Sequence, residues 1–262
     1  MKKLISYSAF ILIFSLLLSA CSQNTTKTDK DLPLEKETEH FLLKYSEGDE
    51  NAAEDMAEVL ENAYEDLTVK YQCTPQERIT VGIYPTFETM QEIWQNQPSD
   101  KTAERSSEVI GFAFRNIPRF NITSPNDWKH SGESYEETLQ DAVHELTHII
   151  TKPYELPVYL NEGVAFYEQG QLKKKAAFIR FALNNQKGFS FPSSLDELAN
   201  MDLDEQYGAA YVYGAIFAEY IIQAYGYDGL VEVLKAKGDI SVLGIDADNF
   251  YNSWLQYVKE HY

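Results

Sequence analysis

A segment with two contrasting faces spans residues 134–150 and restricts how the rest of the chain can be arranged. Ser134, followed three residues later by Glu137, forms a capping box, a pattern typical of a helix start. Apolar residues then recur at intervals of three and four, as on one face of an α-helix: Leu139, Ala142, Val143, Leu146, Ile149 and Ile150. The other face carries the polar side chains of the sequence HELTH, residues 144–148. We therefore predict a helix that packs by one face and presents a reactive face.

Strand and helix patterns before and after this helix indicate the fold class. Before it, strands are predicted at 40–45, 79–84, 109–114 and 119–122, and helices at 50–71 and 86–95. After it, helices are predicted at 157–170, 171–184, 208–225, 229–237 and 248–260. Strands first and helices afterwards imply an α+β fold. We expect an N-terminal mixed α/β lobe (37–127) with an edge hairpin, a C-terminal helical lobe (128–262), and the HELTH helix between them.

The HELTH sequence predicts a metal site. His144 and His148 are four residues apart, so both imidazoles can reach one metal ion from the same helix face. Glu145 can position the attacking water without being a ligand itself. The pattern predicts a single zinc ion, and the competing interpretation is a pair of solvated or hydrogen-bonded histidines. Asp141, one turn before His144, either orients a ligand imidazole or is an ordinary solvated aspartate.

A catalytic zinc needs a third protein ligand and an open position. The remaining histidines do not stand at a suitable spacing, so a carboxylate is expected among Glu155, Glu162 and Glu168. Glu155 lies in a loop between prolines, and Glu168 falls on the polar side of its predicted helix. Glu162 has apolar neighbours three and four residues away, and a buried carboxylate is costly unless it is paired or metal-bound. Gly163 beside it permits close approach of another backbone. These features favour Glu162, with a buried hydrogen-bonded carboxylate as the alternative.

HELTH together with the segment 156–167 (LPVYLNEGVAFY) resembles the peptidase MA-like family of gluzincin metallopeptidases. Members of that family have HExxH, a short loop, and a helix with a Glu-Gly pair after an apolar and aromatic run. The usual Trp of that run is Tyr159 here. The resemblance extends upstream to about Phe41 and downstream to Tyr225-Gly226. It implies a zincin-like metallopeptidase fold and a single catalytic domain over residues 37–262.

The same resemblance implies roles for individual residues. Glu162 would be the third zinc ligand and Glu145 the catalytic base. Tyr211 would stabilise the oxyanion, and no histidine between residues 148 and 261 competes with it for that role. The hairpin strand 120–123 is expected to pair with an extended peptide substrate, as edge strands do in gluzincins.

The N-terminus has the layout of an export signal. Lys2 and Lys3 precede an uncharged apolar stretch that ends in Leu-Ser-Ala before Cys21. We predict a lipoprotein signal peptide (1–20), acylation of Cys21 and a flexible tether (21–36). The alternative is an ordinary signal peptide with an incidental cysteine. The expected location is the extracytoplasmic face of a bacterial cell membrane, where the lipid on Cys21 anchors the chain.

The charge of the chain restricts its partners. The formal net charge of −19 argues against nucleic acid, because phosphate contacts require basic patches. The predicted partners are the membrane, through the lipid anchor, and a peptide or protein substrate. We predict a zinc-dependent metallopeptidase, with a lipid-anchored metal-containing binding protein without proteolytic activity as the alternative. Glu145 favours the enzyme, because zinc binding alone would not require it.

Overall fold

The computed structural model describes residues 32–96, 109–201 and 208–262. The strands are β1 Leu34–Glu37, β2 Phe41–Tyr45, β3 Ile79–Tyr84, β4 Gly111–Ala113 and β5 Arg119–Thr123. The helices are α1 Glu50–Tyr71, α2 Phe87–Gln95, α3 Trp128–Ser131, α4 Tyr135–Thr151, α5 Val158–Glu168, α6 Ala176–Leu183, α7 Leu195–Ala199, α8 Ala209–Lys235 and α9 Ala247–His261. The predicted signal peptide, Cys21 and the tether up to residue 31 lie outside the described residues.

The strands form one mixed sheet in the order β1-β2-β3-β5-β4. The inner strands β2, β3 and β5 run parallel, and β1 and β4 pair antiparallel at the two edges. Strands in the first half and helices in the second confirm the predicted α+β class. Parallel neighbours need a crossover connection, which α1 provides between β2 and β3 and α2 begins between β3 and β5.

The predicted tether is wrong over its last residues, because Leu34–Glu37 is an edge strand. Its side chains alternate between half-buried and exposed, as on a strand with one solvated face. Charged groups fix it to its neighbours: Lys36 Nζ lies 2.5 Å from Glu54, and Glu35 lies 2.9 Å from Lys44 Nζ. Charged side chains are common on edge strands, so the composition of a linker and that of an edge strand look alike.

The two faces of the sheet pack against different helices. One face contributes Phe41, Val81 and Phe120 to the main core, where α1 and α4 cover it. The other face carries Tyr84 and Phe112, which pack with Met90 of α2. Helix α4 therefore lies on the sheet beside β4 and β5, with its apolar stripe inward. Apolar side chains of the later helices continue the same core as far as the C-terminal helix α9.

Helices α5 and α8 cross in close backbone contact, and they carry the remaining site residues. Gly163 of α5 and Gly214 of α8 face each other at the crossing. The helices predicted at 208–225 and 229–237 join into α8, with a break at Gly226, where φ is 73°. Within the described residues, no helix combines the length and apolar character that a bilayer crossing requires.

Candidate metal centre

Helix α4 positions the two histidines. The predicted capping box is present: Ser134 Oγ accepts from the Glu137 backbone N–H at 3.2 Å, and the Glu137 carboxylate accepts from the Ser134 N–H at 2.8 Å. The cap fixes the start of the helix. His144 and His148 then lie one above the other, with ring centroids 4.7 Å apart. Their side chains are only 13% and 14% exposed.

Helix α5 brings Glu162 to both histidines. Its Oε2 atom lies 3.4 Å from Nε2 of His144 and 3.4 Å from Nε2 of His148. One ligand atom from each residue lies within 4.8 Å of the other two. Each ring is directed towards the shared point by its Nε2 edge. The Nδ1 atoms of both imidazoles are buried and have no hydrogen-bond partner among the described residues.

The other candidate carboxylates have partners elsewhere. Glu155 is exposed and pairs with Lys237 at 3.0 Å. Glu168 was predicted on the polar side of its helix, which is wrong, because its side chain is only 6% exposed. It accepts from Tyr71 Oη at 2.7 Å and from Tyr227 Oη at 3.0 Å, and a network of Lys and Tyr donors satisfies it. Glu162 is therefore the carboxylate that shares a site with the HELTH histidines.

Charge coupling within this group is strong. Burial raises the pKa of Glu162, but the attraction of His148 and His144 outweighs it and holds that pKa well below its usual range. Burial likewise lowers the pKa of His148, yet the nearby Glu162 carboxylate raises it to about 9. The group thus concentrates negative charge and nitrogen donors at one point, which is the donor chemistry a divalent cation prefers.

Glu145 lies between α4 and the edge strand β4. Its side chain is 7% exposed, and burial raises its pKa. A hydrogen bond from the Ala113 backbone N–H lowers that pKa and ties the carboxylate to the strand. Gly111 leaves the necessary room, because a Cβ there would lie 3.0 Å from Glu145 Cγ. Glu145 thus stands beside the three converging groups rather than among them.

The edge of the sheet differs from the prediction. Strand 120–123 was expected to pair with a peptide, but β5 already has β3 and β4 as neighbours. The short strand β4 holds the edge instead, and among the described strands none pairs with its outer side. The sequence predicted the hairpin correctly but not which of its strands lies outside, because both partners of β5 are distant or weakly patterned segments.

Tyr211 and Asp141 occupy different environments. The Tyr211 ring, in the first turn of α8, is nearly parallel to the His144 ring at a centroid distance of 6.2 Å, so this residue faces the site. Asp141 is neither solvated nor hydrogen-bonded to an imidazole. Its Oδ1 accepts from Gln169, and its Oδ2 is buried with no partner in the described part of the chain. Burial raises the pKa of Asp141 to about 8, and the negative charges of Glu133 and Glu145 add to the rise.

The residues fit a bound zinc ion. In a tetrahedral site with bonds of 2.0–2.1 Å, ligand atoms lie about 3.3–3.4 Å apart, and both Glu162–His distances are 3.4 Å. Two imidazoles and one carboxylate also form a ligand set known for catalytic zinc. Sequence reasoning missed Asn161 and Gly111 as parts of this site. Asn161 precedes the predicted ligand Glu162 in the sequence, but only the structure shows that the two side chains are in contact.

Two comparisons with known proteins found no match. No model of a protein family matches the chain, and no curated protein matches it.

Proposed function

We propose that this protein is a zinc-dependent metallopeptidase with a zincin-like fold, in which His144, His148 and Glu162 hold the ion. The observation that carries the proposal is the position of Glu162 Oε2, 3.4 Å from both Nε2 atoms, at the spacing of ligands around one zinc. Zinc at this point would polarise a carbonyl and lower the pKa of a water molecule.

Two side chains of the chain would carry the proton and charge transfers. Glu145 takes a proton from the attacking water and delivers it to the leaving amine. Its raised pKa suits both steps, because a carboxylate of higher pKa is a stronger base towards the water and retains the proton until the leaving amine takes it. Tyr211, beside the His144 ring, donates a hydrogen bond to the substrate oxygen as negative charge develops there.

The edge strand β4 is the proposed platform for the substrate backbone. Ile110 C=O and Phe114 N–H bond to β5, both at 2.8 Å. Because bonding alternates along an antiparallel strand, the backbone groups of Gly111 and Ala113 point away from β5. The Ala113 N–H already donates to the Glu145 carboxylate, so the Gly111 N–H and C=O and the Ala113 C=O are the groups that would bond to a substrate. An extended peptide added at this edge would run past Glu145. We also propose that the chain is held by a lipid on Cys21 at the extracytoplasmic face of a bacterial membrane.

The test uses the soluble chain that begins after Cys21, with Glu145→Gln as the variant and Glu136→Gln, an exposed residue of the same helix, as its control. Wild type and both variants should contain about one zinc per chain by elemental analysis. Digests of a peptide library should show cleavage by wild type and Glu136→Gln. Glu145→Gln should lose at least about 100-fold in rate, the usual contribution of a general base.

The outcomes separate the alternatives. Equal cleavage by wild type and Glu145→Gln would contradict the proposed mechanism. Stoichiometric zinc without any cleavage would instead support a metal-containing binding protein. Wild-type protein that takes up no zinc would reject the metal site itself.

A further inference from the structure

The two oxygens of Glu162 have different surroundings. Oε1 accepts a hydrogen bond from the Asn161 side-chain amide at 3.1 Å. Oε2 lies 3.4 Å from the Nε2 atoms of His144 and His148. The carboxylate is therefore oriented so that one oxygen is held by the protein and the other faces the converging imidazoles.

This contact is not a default of helix geometry. Consecutive residues on a helix project about 100° apart and do not normally face each other. Asn161 lies in the first turn of α5, where its backbone N–H donates to Pro157 C=O at 2.9 Å. From this position the Asn161 side chain contacts Glu162 and also His148. The side chain is half-buried, so water competes only partly for the same oxygen.

The hydrogen bond has a consequence for coordination. A carboxylate can bind a metal through one oxygen or through both. A donor on Oε1 satisfies that oxygen and favours binding through Oε2 alone. Binding through one oxygen keeps the protein ligands at three and leaves the fourth position open, which a catalytic site requires. Groups that orient a ligand in this way commonly change metal affinity by a large factor.

We infer that Asn161 is a positioning residue, which holds Glu162 to coordination through Oε2 and thereby keeps one position of the metal open. The inference rests on the proposed metal site, and it adds a residue that neither the HELTH pattern nor the Glu-Gly pair contains. Asn161 would not touch the substrate, so its effect should appear in the metal centre before it appears in the chemistry.

The variants are Asn161→Leu, which keeps the size of the side chain and removes the donor, and Asn161→Ala, which removes the side chain. Asn184→Leu is the control, because Asn184, which follows the last residue of α6, also donates its side-chain amide, to Arg180 C=O, but away from the site. Zinc affinity is measured by competition with a chromogenic chelator. The coordination number is followed by the visible absorption of the Co²⁺-loaded proteins, which weakens when the second Glu162 oxygen joins a four-coordinate site.

Both Asn161 variants should lose about 10-fold to 100-fold in zinc affinity, and their Co²⁺ bands should weaken. The control should match wild type in both measurements. If Asn161→Leu does not fold, as judged by its circular dichroism, the Ala variant is judged by the same two measurements. Unchanged affinity and an unchanged spectrum would overturn the inference while leaving the metal site intact. A wild type that binds neither ion would overturn the inference together with the proposed function.

Discussion

Gly163 and Gly214 touch backbone to backbone where α5 crosses α8. A Cβ on Gly163 would lie 2.3 Å from the carbonyl carbon of Gly214, and a Cβ on Gly214 would lie 2.0 Å from Tyr159 O. The residue before Gly163 is Glu162, and Tyr211 is one turn before Gly214. The pair therefore sets how closely α5, which carries the third candidate ligand, packs against α8, which carries the phenol.

Replacing Gly214 by Ala should destabilise the protein by about 3 kcal/mol, the upper end of ordinary overpacking, because the new methyl group meets backbone that cannot rotate away. Urea unfolding of the metal-free protein measures the loss. The control is Gly48→Ala, where no atom lies within 4 Å of the added Cβ. Its positive φ of 94° alone should cost about 1 kcal/mol. Equal losses in the two variants would contradict the importance of the helix crossing.

Glu162 and Glu168 should respond in opposite ways to truncation. Glu162→Ala should weaken zinc binding by more than about 100-fold, because even outer partners of a ligand contribute 10-fold to 100-fold. Glu168→Ala leaves the hydroxyls of Tyr71 and Tyr227 without their acceptor, while Lys70 keeps Asp66 as a partner, and it should cost about 1–3 kcal/mol of stability. Chelator competition on the folded proteins and urea unfolding give the two measurements. Weak zinc binding by Glu168→Ala and normal binding by Glu162→Ala would move the third ligand.

Local sequence patterns predicted most of the helices and strands of the fold. The helix predicted at 50–71 is α1 Glu50–Tyr71, and the capping box at Ser134 is formed. Periodicity and caps act over a few residues, so a single sequence displays them. Glu162 was also accessible to this reasoning, because apolar neighbours at three and four residues mark a carboxylate that must be satisfied by a specific partner.

Long-range pairing explains what the sequence did not reveal. Glu168 is satisfied by Lys70 and Tyr227, which lie far away along the chain on two other helices. Strand β1 was hidden because its charged residues find partners only after it pairs with β2. The edge strand was predicted as β5 instead of β4 for the same reason, because the strand order depends on the parallel pairing of β5 with the distant strand β3.

Gly111 should be required for the rate rather than for metal binding. Valine at this position would press on the Glu145 side chain, since even a Cβ there would lie 3.0 Å from its Cγ. A displacement of about 1 Å can cost about 100-fold in rate. We expect Gly111→Val to lower kcat by about that factor and to keep its zinc, as shown by steady-state kinetics and elemental analysis.

Phe112→Leu is the control for that experiment. Phe112 lies on the same strand but packs on the opposite face of the sheet, in the cluster with Met90. The Phe112→Leu variant should have the kcat and the zinc content of the wild type. Its stability should be modestly lower. A similar loss of rate in both variants would show that the strand as a whole, and not the room beside Glu145, limits catalysis.

Zinc binding should release protons. The Glu162 carboxylate raises the pKa of His148 from 6.5 to about 9 in the metal-free protein, so near pH 7 this imidazole carries a proton that a metal must displace. Calorimetry in buffers with different ionisation enthalpies counts that release, and we expect about one proton at pH 7. The contribution of His148 to this number should vanish as the pH rises past 9, because His148 is then already neutral. Glu162→Gln should release fewer protons at pH 7.

The same coupling sets the pH dependence of stability without metal. A histidine with a raised pKa stabilises the fold fully below its unfolded value of 6.5, and that contribution is lost as the pH rises through about 9. A glutamate with a depressed pKa contributes above its unfolded value of 4.5 and loses its contribution in acid. The contribution of His148 and Glu162 to the stability of the metal-free protein should therefore be largest between about pH 4.5 and 6.5. Urea unfolding at pH 6 and pH 9.5 tests this, with Glu162→Gln as the variant in which the difference should shrink. A wild-type protein that gains stability between these two values would show that His148 is neutral beside Glu162.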